Sequence, residues 1–147
     1  KITMRKKIII TGGLGYIGTE LCKLYSGVSW HHKITVIDNR FISERVNQIR
    51  NWNMEFIQGD ILDKDIIQKH FKDADVVHHL AGVTAVPRTK SESSEAIDKK
   101  IKEVGEIGTQ NILDVISDNC KIIFPSTHVV YEGINEIKLL LARKGIE

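Results

Sequence analysis

Short apolar runs alternate along this chain with stretches whose apolar positions recur every three or four residues. The runs at 7–11 (KIIIT), 33–38 (KITVID), 54–58 (MEFIQ), 75–81 (DVVHHLA) and 121–126 (KIIFPS) are rich in Ile and Val on both faces. Strands covered by helices on each side have that composition. Ile17, Leu21, Leu24 and Val28 predict the inward face of a first helix. Ile97, Ile101, Val104, Gly108, Ile112 and Val115 predict one long helix over about 93–118. Strand and helix in regular turn predict an α/β, doubly wound parallel sheet. Right-handed crossovers give it the strand order 3-2-1-4-5, with a crevice between the first and fourth strands. Residues 84–94, with Pro87 and three serines, are expected to form a loop over that crevice.

The first strand runs into TGGLGYIG, where Gly12, Gly15 and Gly18 stand around Gly13. Such a turn lets backbone approach a pyrophosphate, and a helix starting near Tyr16 aims its free N–H groups and positive dipole end at the anion. The glycine pattern alone is weak, since a ligand-free turn or a methyl-donor site shares it. Asp38 strengthens it, because it ends the second strand twenty residues after Gly18. A carboxylate there accepts hydrogen bonds from an adenosine ribose and disfavours a 2′-phosphate, which selects NAD over NADP. Arg40 is read as a solvated loop charge, the alternative being a partner for that phosphate.

Composition narrows the field only slightly. The chain has 147 residues, 41% hydrophobic and 27% charged, enough for one domain with a real core. Its net charge of +2 is scattered, which gives no ground for nucleic acid or an anionic membrane as partner. The cluster Arg5, Lys6 and Lys7 is read as solvating the entrance to a buried strand. No apolar run is long enough to span a bilayer and no signal peptide is visible, so a cytoplasmic protein is expected. Cys22 and Cys120 lack metal-type spacing and are read as reduced thiols. Neighbours on a strand, His78 and His79 face opposite ways and are read as sheet histidines rather than ligands of one ion. His31, His32, His70 and His128 show no ligand spacing either.

Taken in order, TGGLGYIG, VIDN, GDI, HLAG, GTQN and PST with VY resemble the extended short-chain dehydrogenase/reductase superfamily, and more closely its nucleotide-sugar epimerases and dehydratases. The resemblance spans about residues 7–133 and implies a Rossmann-type dinucleotide-binding domain over 1–133. It implies that Gly12, Gly15, Tyr16, Ile17 and Gly18 hold the pyrophosphate of NAD, with Asp38 and Asn39 at the adenosine. It also implies that Asp60 and Ile61 cover adenine. The bland reading of that pair, the start of a helix with an apolar staple, holds alongside. Leu80, Ala81 and Gly82 would let ribose and phosphates pass close to the strand end. Thr127, beside Ser126 and in register with Tyr131, would be the catalytic hydroxyl meeting the reacting oxygen of a nucleotide-sugar substrate.

Two departures qualify this. Gly105 stands where the family usually carries an asparagine, so a weakened helix or a lost polar anchor is expected. The family's proton-moving Tyr-x-x-x-Lys pair is missing, because Tyr16, Tyr25 and Tyr131 are followed four residues later by Glu20, Ser29 and Asn135. Residues 134–147 are read as an aberrant or truncated tail, and the sugar-binding C-terminal domain as absent. The expectation is the N-terminal part of an NAD-dependent, UDP-glucose 4-epimerase-like enzyme that binds NAD without turnover. A non-catalytic dinucleotide-binding module is the alternative. An open edge at the fifth strand predicts dimerisation or aggregation, and the resemblance implies a homodimer in which the long helix is one of the contact helices.

Overall fold

The computed structural model describes residues 4–83 and 95–126. The loop at 84–94, Thr127, Tyr131 and the tail at 134–147 therefore lie outside the described residues. Five strands, β1 (Lys7–Thr11), β2 (Lys33–Asp38), β3 (Glu55–Gln58), β4 (Val76–His79) and β5 (Lys121–Ile123), form one sheet in the order β3-β2-β1-β4-β5. All pairings are parallel, with Ile10 opposite Val36 on one side and His78 on the other. This is the predicted order, and it sets all five C-terminal strand ends on one rim.

Side chains alternate along each strand, so the sheet feeds two separate cores. Ile8, Ile10, Ile34 and Val36 pack with Leu14, Cys22, Val46 and Ile49 beneath helices α1 (Tyr16–Tyr25) and α2 (Ser43–Asn51). Ile9, Ile37 and Val77 pack with Ile67, Phe71 and Ile112 beneath α3 (Lys64–Phe71) and α5 (Thr109–Leu113). Asp63 caps α3, its Oδ1 accepting from the N–H groups of Asp65 at 2.9 Å and Ile66 at 3.3 Å, a contact worth about 1 kcal/mol. Arg5 and Lys6 are exposed, and Lys7 lies within 3.9 Å of Asp73. Among the described residues no helix is long and apolar enough to cross a membrane.

Two helical expectations need correction. Ile17, Leu24 and Val28 do not face the core: they are 63%, 79% and 40% exposed. The buried face of α1 is Gly18 and Cys22, flanked by Leu21 and Tyr25. Gly18 decides this rotation, because a Cβ there would stand 2.6 Å from the Cα of Gly13. Only a bare residue fits against the turn, and the apolar pattern cannot express that.

The long helix is also interrupted. α4 (Glu95–Lys102) passes into a π-helical segment at Glu103–Gly108 before α5 begins. A π turn is wider than an α turn and breaks the 3.6-residue spacing. Val104, Gly108 and Ile112 stay buried as predicted, while Ile101 is left 37% exposed. Gly105 sits inside the segment, and a Cβ there would meet nothing within 4 Å.

Candidate functional site

Thr11, the last residue of β1, delivers the chain into the glycine turn. Gly12 adopts φ +66°, and a Cβ there would stand 2.8 Å from Ala81 N and from the Leu80 carbonyl. Both the left-handed backbone and the contact with the end of β4 require glycine. The turn then opens α1, whose N-cap Gly15 supplies no side-chain hydrogen bond. Among the described residues the first N–H groups of α1, on Tyr16, Ile17 and Gly18, thus receive no side-chain cap and stand at the positive end of the helix dipole.

A cleft of about 620 Å³ lies over this turn, within the size range of small-molecule sites. Gly12, Gly15, Tyr16, Ile17 and Gly18 form its floor, and Asp38 and Asn39 close one side. Asp60 and Ile61 line it after β3, and Leu80, Ala81 and Gly82 after β4. The structure therefore gathers every described candidate position around one space. Thr127 lies outside the described residues, and Ser126 is exposed.

The electrostatic centre is Asp38, whose side chain is 3% exposed. Its Oδ2 accepts from the Leu14 N–H at 3.0 Å and from Arg40 Nη2 at 3.4 Å. Its Oδ1 accepts from the Arg40 N–H at 3.0 Å and Arg40 Nε at 3.1 Å. The solvated-charge reading of Arg40 thus becomes an ion pair, and the hydrogen bonds from this guanidinium to Asp38 raise its pKa. A carboxylate offers about four acceptor positions. Backbone fills two of them, and the side chain of Arg40 fills the other two. The residues present therefore fit an adenine dinucleotide: peptide donors for its phosphates, and a carboxylate beside them whose remaining acceptors are held by one half-exposed guanidinium.

Asp60 combines two roles, its Oδ1 accepting from the Leu62 N–H at 3.0 Å and its Oδ2 from Asn39 Nδ2 at 3.4 Å. Ile61 is 4% exposed and packs beneath the π segment, against Gly108. Asn111 secures the same corner, donating to the Ile61 carbonyl at 3.1 Å. Arg45 was not legible as a site residue, yet it lines the cleft and donates to the Leu14 carbonyl. Its place depends on the rotation of α2, which nothing in the local pattern specifies. Lys100, Val104 and Pro125 also reach the cleft, brought there by α4, the π segment and the end of β5.

His78 and His79 enter opposite layers. Nε2 of His78 meets the Tyr25 hydroxyl at 2.7 Å, and burial and Lys121 lower its pKa. His79 lies between Thr11 and Thr109, each at 2.9 Å, and burial lowers its pKa. Cys22 and Cys120 are free thiols; Cys22 is buried, and burial pushes its pKa up to about 12.

Over residues 8–141 the chain matches the NAD dependent epimerase/dehydratase family. It is 34% identical over 130 residues to the UDP-N-acetyl-alpha-D-glucosaminuronate decarboxylase of Bacillus cytotoxicus, covering 87% of this chain and 38% of that protein. It is 30% identical over 143 residues to the bifunctional UDP-glucose 4-epimerase and UDP-xylose 4-epimerase 1 of Pisum sativum, covering 88% of this chain and 39% of that one. Its fold superposes on the dTDP-glucose 4,6-dehydratase of Bacillus anthracis, solved in complex with NAD, with a TM-score of 0.64. That match has 23% identity and covers 88% of this chain and 39% of that one. The chain thus spans less than half the length of the relatives it matches.

Proposed function

Because the chain belongs to the NAD dependent epimerase/dehydratase family, we propose that it is the dinucleotide-binding part of a nucleotide-sugar epimerase or dehydratase, with NAD held in the cleft over the glycine turn. One observation carries the reading: the uncapped start of α1 and the buried carboxylate of Asp38 border the same cleft. The first supplies donors for a pyrophosphate, the second acceptors for a ribose. When bound, NAD would take a hydride from a sugar carbinol and so open the way to epimerisation or elimination. Gly12 and Gly15 would admit the phosphates, Asp38 would orient the ribose, and Asp60 with Ile61 would border the adenine.

Residues 1–133 form the dinucleotide-binding domain in this reading, and the nucleotide sugar is the substrate of the whole enzyme. Thr127 is proposed as the hydroxyl that meets its reacting oxygen. Two free cysteines support a cytoplasmic location. Ile107 and Leu113, 50% and 46% exposed, support a homodimer through the helices that carry them; a monomer in sedimentation would remove that part. The second reading is a dinucleotide-binding module without turnover, which the same cleft, with its glycine turn and buried Asp38, would also serve.

Calorimetric titration of the chain with NAD and with NADP tests the proposal. Saturable binding of NAD, weaker for NADP, is expected. No binding of NAD at millimolar concentration would end it. Measurable epimerisation by the same 147-residue chain would end the binding-only reading.

A further inference from the structure

The group that the proposed function leaves unused is His79, 1% exposed at the end of β4. Its Nδ1 lies 2.9 Å from Thr11 Oγ1, and its Nε2 lies 2.9 Å from Thr109 Oγ1. Thr11 Oγ1 has two further partners: it accepts the Ala81 N–H at 3.1 Å, and it shares the Leu80 N–H, at 3.1 Å, with the Thr11 carbonyl, at 3.2 Å. A hydroxyl oxygen has two lone pairs and one proton. With backbone donors directed at both lone pairs, the Thr11 proton is the one left for His79 Nδ1. The imidazole proton then resides on Nε2 and is donated to Thr109. A proton on Nδ1 would instead crowd three donors onto Thr11 Oγ1 and push the Leu80 N–H back onto the Thr11 carbonyl alone.

This arrangement bears on the cleft through the backbone it holds. Leu80 and Ala81 line the cleft, and their peptide atoms stand against Gly12, the first residue of the turn. Thr11 precedes Gly12 directly, and Thr109 is the first residue of α5. We infer that His79 is a positioning residue for the cofactor. As the neutral imidazole protonated on Nε2, it fastens α5 to the ends of β1 and β4 and holds the Leu80–Ala81 backbone against the glycine turn. Its surroundings keep it in that form. Among the described residues its partners from β1, from α5 and from the segment after β5 are Thr11, Thr109 and Phe124, and all three are uncharged. The inference rests on the reading that the cleft takes NAD, while the hydrogen-bond latch itself does not.

The decisive measurement is nitrogen NMR of the imidazoles in the 147-residue chain, without and with NAD. An unprotonated Nδ1 and a protonated Nε2 on His79 are expected, with slow exchange of the Leu80 and Ala81 amides. Titration of variants with NAD then tests positioning. Thr11→Ser and His79→Asn retain, respectively, the hydroxyl and an acceptor in the Nδ1 position, and should bind NAD within about threefold of the parent. Thr11→Val and His79→Leu should lose about tenfold or more, as expected for a broken buried hydrogen bond. Their double variant should be no weaker than the worse single one. A proton on Nδ1 overturns the latch even if the variants do not fold. Parent-like NAD binding by His79→Leu, or equal loss in His79→Asn and His79→Leu, overturns the positioning role. Failure of the parent chain to bind NAD would overturn the proposed function and the positioning role with it, and the tautomer would still decide the latch.

Discussion

Asp38, at the end of β2, accepts the backbone N–H of Leu14 at 3.0 Å across 24 residues of sequence. The bond fixes the glycine turn to the neighbouring strand, so one carboxylate both shapes the cleft and faces into it. Asp38→Ala should leave the N–H of fully buried Leu14 without an acceptor, costing about 1–3 kcal/mol. Asp38→Asn keeps an acceptor and should recover most of that stability while still losing affinity for NAD. Urea unfolding and calorimetry together check the split.

Arg40 competes with any ribose for the same carboxylate. Its side chain is 55% exposed, so the ion pair is worth at most about 1 kcal/mol. Arg40→Ala should therefore tighten NAD by about two- to fivefold, since removing the guanidinium frees two acceptor positions. Unchanged or weakened NAD binding would show that the guanidinium helps the nucleotide instead.

Gly108 and Ile61 form a close contact between the π segment and the loop after β3. A Cβ at position 108 would overlap the Cδ1 of Ile61 and stand 2.7 Å from its Cγ1. Gly108→Ala should destabilise the fold by about 1–3 kcal/mol through overpacking. Ile61→Val removes the δ-methyl group, so the double variant should recover part of the loss. Additive effects in chemical denaturation would contradict this.

Acid should weaken the fold below neutrality in a defined direction. Burial holds the pKa values of His78 and His79 below the ordinary 6.5. Between those lowered values and 6.5 the unfolded chain binds protons that the folded chain refuses, so stability rises with pH across that window. The contribution should level off about one unit above 6.5 and fall as the pH drops through 6.5 toward the lowered values. Urea midpoints across that range check the sign, and His79→Asn should reduce the slope.

Strand order and the cleft were legible because both follow from residue type at fixed places in an alternating chain. Unbroken Ile and Val runs mark doubly covered strands, and Asp38 sits where a strand end must face the turn. What stayed hidden depends on rotation and close approach. The rotation of α1 follows from Gly18 against Gly13, a contact that carries no apolar signal. The π segment cannot be told from α by a spacing of three and four, so Ile101 reads as inward. Arg45 with Leu14 and the Thr11–His79–Thr109 chain join residues 30 to 68 positions apart in sequence, and single-sequence periodicity holds no record of such pairings.

The parallel sheet also separates the two tryptophans from the cleft. Trp30 precedes β2 and Trp52 precedes β3, so both belong to the rim where strands begin, whereas the cleft crowns the rim where they end. Indole fluorescence should accordingly report unfolding and stay silent on occupancy. A spectroscopist following nucleotide titrations would need the emission of Tyr16, which is 85% exposed beside the glycine turn, or the absorbance of the dinucleotide itself.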